Sequence, residues 1–326
     1  MAFHILIPDN LDKAGLNILS GTEGVTIQAA AKMSRDEVIA AIPNADGLII
    51  RSATKVDRAM LEAAPKLRLV GRAGVGVDNV DLAAATDKGV VVMNAPDGNT
   101  IATAELAFGL MLSLARKIPA AQASMQAGEW DRKSFTGSEL RGKTLGIIGF
   151  GRVGRAIAKR AQAFEMAVIT YDPYVTADMV RAAHVIPVAL DDLYANSDYI
   201  TLHAVVSDEN KHMINSQSIA KMKPTVRIIN AARGALVNEA ELAQAVKDGK
   251  VAGAGIDVYN EEPPEKGNPL VGLAGVIHTP HLGASTVEAQ DEVAVQIAQQ
   301  TLDALIKGEY RNVVNPDVLK KVGQKA

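Results

Sequence analysis

The chain has 326 residues, of which 48% are hydrophobic, and its formal net charge is -3 at pH 7. This length predicts two domains, each with its own apolar core. The weakly acidic balance gives no reason to expect a nucleic acid or a membrane surface as a partner. Because cysteine is absent, disulfides and thiolate metal sites are excluded.

The first hundred residues alternate short apolar segments with helical patterns. The apolar segments predict β-strands at residues 5–7, 25–28, 47–50, 69–71 and 90–93. This alternation is typical of an open parallel sheet with right-handed crossovers. The N-terminus lacks a cationic region followed by a long apolar run, so it predicts a buried strand rather than an export signal. We therefore expect a cytoplasmic protein.

A turn-rich segment, residues 94–100, predicts the crossing into a second domain. Thr100 is a candidate cap for the helix that follows. Residues 101–115 are mostly apolar but include Glu105, and the stretch is too short to span a bilayer. It is therefore expected to be a buried helix.

The segment GFGRVG, residues 149–154, stands between a predicted strand and a predicted helix. Gly149 allows a tight turn, Gly151 lets the backbone approach a pyrophosphate, and Gly154 brings helix and strand together. A second strand ends at Asp172, whose carboxylate would bind the adenosine ribose and repel the extra phosphate of NADP. The glycines alone could instead serve only a tight connection between the strand and the helix, with no ligand. The full context instead favours a Rossmann unit that binds NAD.

Four later strands are predicted at residues 199–202, 227–230, 253–256 and 276–279. The fold class is therefore α/β, with two doubly wound parallel-sheet domains. A last helix at residues 285–307 is expected to return to the first domain. We predict a discontinuous substrate-binding domain of residues 1–98 and 286–326 and an NAD-binding Rossmann domain of residues 99–285. A cleft between such domains would suit a cofactor and a substrate.

Three polar residues stand out in the second half: Arg233 in NAARG, Glu262 in EEPP and His281 in HTPHLGAST. Each alone could be an ordinary surface charge or a structural histidine. All three follow predicted strands of the cofactor domain, where active sites of such folds gather. Together they indicate a nicotinamide-dependent hydroxy-acid dehydrogenase.

Motifs along almost the whole chain resemble the D-isomer-specific 2-hydroxyacid dehydrogenases and, among them, the D-3-phosphoglycerate dehydrogenases. The motifs are GRAGVGVDNVD, NAPDGNT, GEWDRKSFTGSELRGKTLGIIGFGRVG, INAARGALVNEAEL, GIDVYNEEPP and PHLGAST. The resemblance implies His281 as general acid/base, Glu262 as its partner and Arg233 as the clamp on the substrate carboxylate and carbonyl. Each role suits the side chain: imidazole titrates near neutrality, a carboxylate can fix its tautomer, and guanidinium offers a planar fork. In the family motif the catalytic carboxylate immediately precedes the proline pair. That position corresponds to Glu262 and not to Glu261.

The resemblance also implies cofactor contacts beyond the three glycines and Asp172. These lie at Val75, Arg152, Val153, Ala204, Ala231, Ala232, Arg233, Asp257, His281, Gly283 and Ala284. Many relatives have threonine in place of Val75 and of Ala204, so contacts at these two sites would use backbone or packing. Asp257 is implied to line the nicotinamide pocket. His203 is expected to be structural. The remaining histidines show no metal-ligand spacing, and no metal is predicted.

Arg51 and Arg72 each follow a predicted strand of the first sheet, so both can present guanidinium groups at one edge. The resemblance implies that they bind a substrate phosphate together with Arg132, which would reach across a dimer. The implied substrate-binding set also contains Ser52, Ala73, Gly74, Arg233 and His281. Any one of these arginines could instead be a solvated surface charge.

The activity that the resemblance implies is NAD-dependent oxidation of 3-phospho-D-glycerate to 3-phosphohydroxypyruvate, the first step of L-serine synthesis. A homodimer is expected, with residues 101–115 and GEWDRKSF as the candidate interface. The chain is also expected to lack the regulatory domain of longer relatives and hence inhibition by serine. One alternative is a reductase of glyoxylate, hydroxypyruvate or another 2-keto acid. Another is an NAD-sensing binding protein similar to transcriptional corepressors of this fold.

Overall fold

Residues 2–322 are described by a computed structural model. Residues 323–326, for which the sequence predicts a loose tail, lie outside this range. Two compact units make up the chain: one runs up to Asn99 and resumes at Ala284, and the other is Thr100–Gly283. Among residues 2–322, no helix combines the length and hydrophobicity needed to cross a bilayer.

Both units are built from alternating strands and helices. The strands are β1 Phe3–Ile7, β2 Val25–Ala29, β3 Gly47–Ile50, β4 Leu69–Arg72, β5 Val91–Asn94, β6 Thr144–Ile148, β7 Ala167–Tyr171, β8 Ile186–Pro187, β9 Tyr199–Leu202, β10 Arg227–Asn230, β11 Gly253–Ile256 and β12 Val276–His278. The helices are α1 Lys13–Ser20, α2 Arg35–Ala41, α3 Arg58–Glu62, α4 Leu82–Lys88, α5 Thr100–Arg116, α6 Ile118–Gln126, α7 Arg152–Ala163, α8 Ala177–Ala182, α9 Leu190–Asn196, α10 Ser216–Ile219, α11 Glu239–Lys247, α12 Val287–Leu302 and α13 Leu319–Val322.

The first unit contains a five-stranded parallel sheet in the order β2-β1-β3-β4-β5. Its central strands are almost wholly apolar and buried on both faces, as expected of a parallel sheet covered by helices. Helices α1 and α12 pack closely on one face. A Cβ on Gly15 would lie only 2.7 Å from the backbone oxygen of Ala294. The approach of these two helices therefore requires a glycine.

The second unit contains a seven-stranded parallel sheet in the order β12-β11-β10-β9-β6-β7-β8. The chain winds outward from β6 in one direction and then returns to β9 on the other side, so a topological switch point lies between β6 and β9. Helix α5 covers β11, where a Cβ on Gly255 would lie 3.0 Å from the Leu110 side chain. The predicted fold class is confirmed in both units.

Four details differ from the sequence predictions. Thr100 is the first residue of α5 rather than the residue before it, so the prediction that it caps this helix was wrong. Helix α12 begins at Val287, after Thr286 accepts a hydrogen bond from Ala289 N–H. Its last turn, Asp303–Lys307, is a π-helix rather than a continuation of the α-helix. The short strand β8 was not predicted because its two residues carry no periodic pattern.

Burial within the second sheet predicts unequal effects of the same substitution. Ile147 in β6 is fully buried, whereas Ile186 in β8 is 60% exposed. We expect Ile147→Ala to lower the free energy of unfolding of this unit by about 2–5 kcal/mol through lost burial and the cavity left behind. Ile186→Ala serves as the control, with a change under about 1 kcal/mol. Urea unfolding followed by circular dichroism measures both, and equal losses would contradict the packing described here.

Candidate active site

The glycine loop occupies the connection between β6 and α7. Gly149 has φ +92°, a left-handed conformation, and a Cβ there would lie 2.6 Å from the carbonyl carbon of His203. A Cβ on Gly154 would overlap the carbonyl oxygen of Gly149. Gly151 is the N-cap of α7 and forms no side-chain cap, and a Cβ there would meet no heavy atom within 4 Å. The N-terminus of α7 is therefore open to a pyrophosphate, and the loop fits a dinucleotide.

Asp172 follows β7 and stands beside this loop. Its Oδ2 accepts a hydrogen bond from Phe150 N–H at 2.7 Å, and its Oδ1 accepts one from Tyr174 N–H at 2.8 Å. These bonds fix the carboxylate while leaving it half-exposed. Each carboxylate oxygen can accept more than one hydrogen bond, so ribose hydroxyls can still bind. The placement fits the adenosine end of NAD rather than NADP.

His203 closes the other side of the glycine loop. Its backbone N–H donates to the Ile148 carbonyl oxygen at 2.7 Å, and its ring Nε2 lies 2.9 Å from Thr201 Oγ1. Burial lowers the pKa of His203 to about 4, so the ring is neutral near pH 7. These contacts agree with the structural role expected of this histidine.

Arg233 lies in the turn that follows β10. The buried side chain of Asn230 closes this turn, because its Nδ2 donates to the Arg233 carbonyl oxygen at 2.9 Å and its Oδ1 accepts from Ala232 N–H at 3.1 Å. The Arg233 guanidinium is half-buried and donates to the Ala232 carbonyl oxygen at 2.7 Å. The guanidinium is thus held near the carboxyl end of β10.

His281 and Glu262 form a hydrogen-bonded ion pair. His281 Nδ1 lies 2.5 Å from Glu262 Oε2, and Glu262 Oε1 accepts a hydrogen bond from Tyr259 N–H at 3.1 Å. The hydrogen bond to Glu262 raises the pKa of His281, although burial opposes the rise. Burial tends to raise the pKa of Glu262, but the bonds from His281 and Tyr259 outweigh it and the pKa is lowered. The positive charge of Arg233 also acts on both groups.

A buried carboxylate supports the backbone of His281. His281 has φ +55°, an uncommon conformation for a residue with a Cβ that costs roughly 1–2 kcal/mol. Its N–H donates to the Asp257 carbonyl oxygen at 2.8 Å. The fully buried Asp257 carboxylate accepts from Leu282 N–H at 2.7 Å, Gly283 N–H at 3.0 Å and Thr279 Oγ1 at 2.6 Å. These bonds offset the strain and aim the imidazole. The nicotinamide contact expected of Asp257 stays a prediction.

The first unit carries its two candidate arginines on neighbouring strands. Ile50 of β3 pairs with Arg72 of β4, so Arg51 and Arg72 both lie at the carboxyl edge of this sheet. Arg51 Nη1 donates to the Asn10 carbonyl oxygen at 3.1 Å, and Arg72 Nη1 donates to the Ala73 carbonyl oxygen at 3.0 Å. Both side chains are half-buried. The predicted common edge of these two arginines is therefore present.

The other candidate residues have varied surroundings. Arg132 belongs to the second unit and is exposed in the segment after α6. Gly74 has φ +145°, and a Cβ there would overlap the Arg72 guanidinium. The rest are buried (Ala73, Ala231, Gly283), half-buried (Val75, Val153, Ala204, Ala232, Ala284) or exposed (Ser52, Arg152). Their contacts with cofactor or substrate stay predictions. Within residues 2–322, no group of His, Asp and Glu could hold a metal ion.

Comparison with known proteins identifies the family. Residues 108–283 match the model of the D-isomer specific 2-hydroxyacid dehydrogenase NAD binding domain. The chain belongs to the D-isomer specific 2-hydroxyacid dehydrogenase family. The match confirms the predicted family, and NAD as the predicted cofactor.

Curated relatives carry a more particular name. The chain is 47% identical over 313 residues to D-3-phosphoglycerate dehydrogenase of Methanocaldococcus jannaschii, covering 95% of this chain and 59% of that protein. It is 46% identical over 316 residues to D-3-phosphoglycerate dehydrogenase of Rattus norvegicus, covering 97% and 59%. The chain thus spans about three-fifths of the length of these relatives. A solved glyoxylate reductase from Paecilomyes thermophila is 30% identical with a TM-score of 0.86, covering 96% of this chain and 98% of that one.

The position of Asp172 predicts a change in cofactor preference when its charge is removed. We expect Asp172→Ser to lower the ratio of NADH affinity to NADPH affinity by about tenfold or more, roughly 1.4 kcal/mol. Fluorescence titration with NADH and NADPH measures both affinities. Asp178→Ser is the matched control, because Asp178 on α8 is an exposed carboxylate of the same unit. An unchanged ratio in the Asp172 variant would contradict the proposed role of its charge.

Proposed function

We propose that this protein oxidises 3-phospho-D-glycerate to 3-phosphohydroxypyruvate with NAD as the oxidant, the first step of L-serine synthesis. The observation that carries the proposal is the hydrogen-bonded pair of His281 and Glu262, with the charge of Arg233 acting on both, in the NAD-binding domain of this family. The similarity to D-3-phosphoglycerate dehydrogenases, at 46–47% identity over 95–97% of this chain, supports this substrate over others.

The proposed chemistry follows from the tautomer of His281. Glu262 holds the Nδ1 side of the ring, which leaves Nε2 to meet the substrate. Nε2 takes the proton of the C2 hydroxyl as the C2–H bond breaks, and Glu262 stabilises the imidazolium that results. Bound NAD supplies the nicotinamide ring that accepts the hydride. Arg233 binds the substrate carboxylate and stabilises the oxygen on C2 as it becomes a carbonyl.

We also propose that Arg51 and Arg72 bind the substrate phosphate, since two guanidinium groups at one sheet edge suit a dianion. In this account residues 1–98 and 286–326 bind the substrate and residues 99–285 bind the cofactor. The homodimer, the contact of Arg132 with the substrate phosphate across that dimer, and the cytoplasmic location stay predictions. A second candidate function, reduction of glyoxylate or another unphosphorylated 2-keto acid, is favoured by the similarity to a glyoxylate reductase.

Glu262 is expected to set the pH dependence of the reaction. Oxidation needs neutral His281, so its rate rises as pH increases through the His281 pKa, which Glu262 raises. We expect Glu262→Gln to move this acid limb to lower pH and to reduce kcat about 10²–10⁴-fold. Turnover measured from pH 5 to 10 tests this, with Glu261→Gln as the neighbouring control. An acid limb unmoved in Glu262→Gln would contradict the assigned pair.

The phosphate proposal is tested by reduction of 3-phosphohydroxypyruvate and of hydroxypyruvate with NADH. We expect a large preference for the phosphorylated acid, and about a tenfold or greater loss of that preference in Arg51→Ala, because one charged contact is worth roughly 1.5–3 kcal/mol. Arg58→Ala is the control, since Arg58 is exposed and pairs with Asp87. Equal turnover of both acids would favour a general 2-keto acid reductase. NAD binding with no turnover of any small acid would favour an NAD-sensing protein.

A further inference from the structure

We propose that Tyr259, together with His278, is a positioning residue that fixes the three segments carrying Arg233, Glu262 and His281. Tyr259 lies in the loop after β11 and is 8% exposed. It contacts each of the three segments through a different part: its N–H, its carbonyl group and its hydroxyl. The inference rests on the catalytic roles proposed above for the three residues.

The N–H of Tyr259 sets the orientation of the Glu262 carboxylate. It donates to Glu262 Oε1 at 3.1 Å, while Oε2 meets His281 Nδ1. The last torsion of a glutamate side chain is broad, so a single bond to His281 would leave the carboxylate free to turn. Two bonds on its two oxygens hold the carboxylate plane and keep Oε2 on the imidazole.

The backbone of Tyr259 also packs against the segment of Arg233. A Cβ on Gly234 would overlap the carbonyl carbon and oxygen of Tyr259. Gly234 directly follows Arg233 and is buried. The two segments therefore touch backbone to backbone, and a displacement of Tyr259 is transmitted to the residue beside the guanidinium.

The hydroxyl of Tyr259 connects to the strand that leads to His281. It lies 3.1 Å from His278 Nδ1, and His278 stands in β12, three residues before His281. Gly272 N–H donates to His278 Nε2 at 3.3 Å, which assigns Nε2 as an acceptor. The hydrogen of the neutral ring then lies on Nδ1 and is donated to the tyrosine oxygen. Burial lowers the pKa of His278, which keeps the ring in this neutral form.

The chain beyond Tyr259 is held as well. Asn260 N–H donates to Glu239 Oε1 at 2.7 Å, and Asn268 Nδ2 donates to Glu239 Oε2 at 2.6 Å. Glu239 is the first residue of α11, a regular helix. The loop carrying Glu262 is thus tied to a rigid element at Asn260 and to β12 through the Tyr259 ring. Tyr259 is the residue where the contacts to all three catalytic segments meet.

The test uses the titration of the His281 imidazole, followed by ¹⁵N NMR in the cofactor-free protein with labelled histidine. His281→Asn identifies the signal. We expect Tyr259→Phe and His278→Leu each to lower the His281 pKa toward its ordinary value, and the double variant to lower it no further. His278→Asn, whose amide can donate in place of Nδ1, should restore most of the wild-type value. Tyr194→Phe is the matched control, because it also removes the hydroxyl of a buried tyrosine, but one that donates to the Met213 carbonyl oxygen and has no contact with His278.

Turnover provides a second readout. A misplacement of about 1 Å can cost on the order of 10²-fold in rate, so we expect Tyr259→Phe to lower kcat about tenfold or more. The dissociation constant of NAD should change less than about twofold, because Tyr259 has no place in the proposed cofactor contacts. The acid limb of oxidation should move to lower pH in parallel with the NMR titration.

A merely structural role makes a different prediction. The melting temperature of Tyr259→Phe would then fall as in Tyr194→Phe, with the His281 pKa and kcat unchanged, and this result would overturn the proposal. Failure of the proposed function is a separate result: wild-type protein with no turnover of 3-phosphohydroxypyruvate. The NMR titration needs no substrate, so it decides the positioning role in that case too. If Tyr259→Phe does not fold, the comparison of His278→Asn with His278→Leu gives the same decision.

Discussion

The hydrogen bond between His281 and Glu262 constrains backbone as well as side chains. To reach the carboxylate, His281 lies in a left-handed conformation that most residues avoid, and the buried Asp257 carboxylate collects the N–H groups that follow it. Tyr259 N–H holds the other oxygen of Glu262. This one pair combines opposite charge, a left-handed backbone and partial burial, and the pKa of His281 is raised while that of Glu262 is lowered.

The parallel sheet explains how distant parts of the sequence reach one site. All strand pairs of the second unit run in the same direction, so the glycine loop, Asp172, Arg233, Asp257 and His281 all follow strand ends on one edge. The switch point between β6 and β9 leaves room beside the glycine loop. Glycine is needed at Gly149 because the His203 backbone passes so close. A rigid sheet therefore positions both the glycine loop and His281, the partner of Glu262.

Most strands and the glycine loop could be predicted from the sequence, because the patterns that indicate them lie within a few neighbouring residues. Strands such as Gly47–Ile50 and Tyr199–Leu202 are mostly apolar runs followed by a polar residue, and the glycine loop has its strand, helix and carboxylate in fixed order. The start of α12 and the π-helical turn at its end could not be predicted from the sequence. Capping and helix type depend on hydrogen bonds that apolar spacing does not encode. The contact of Tyr259 with His278 was also missed, because nothing local links positions 19 residues apart.

A crystal structure of the protein with NAD and 3-phosphohydroxypyruvate, an unreactive pair because both are oxidised, tests the central claim most directly. The account predicts the C2 carbonyl oxygen within about 3 Å of His281 Nε2, where a proton can pass. It also predicts the substrate carboxylate on Arg233, with Glu262 still on Nδ1. A C2 oxygen bound to another side chain, with His281 Nε2 facing solvent, would contradict the account.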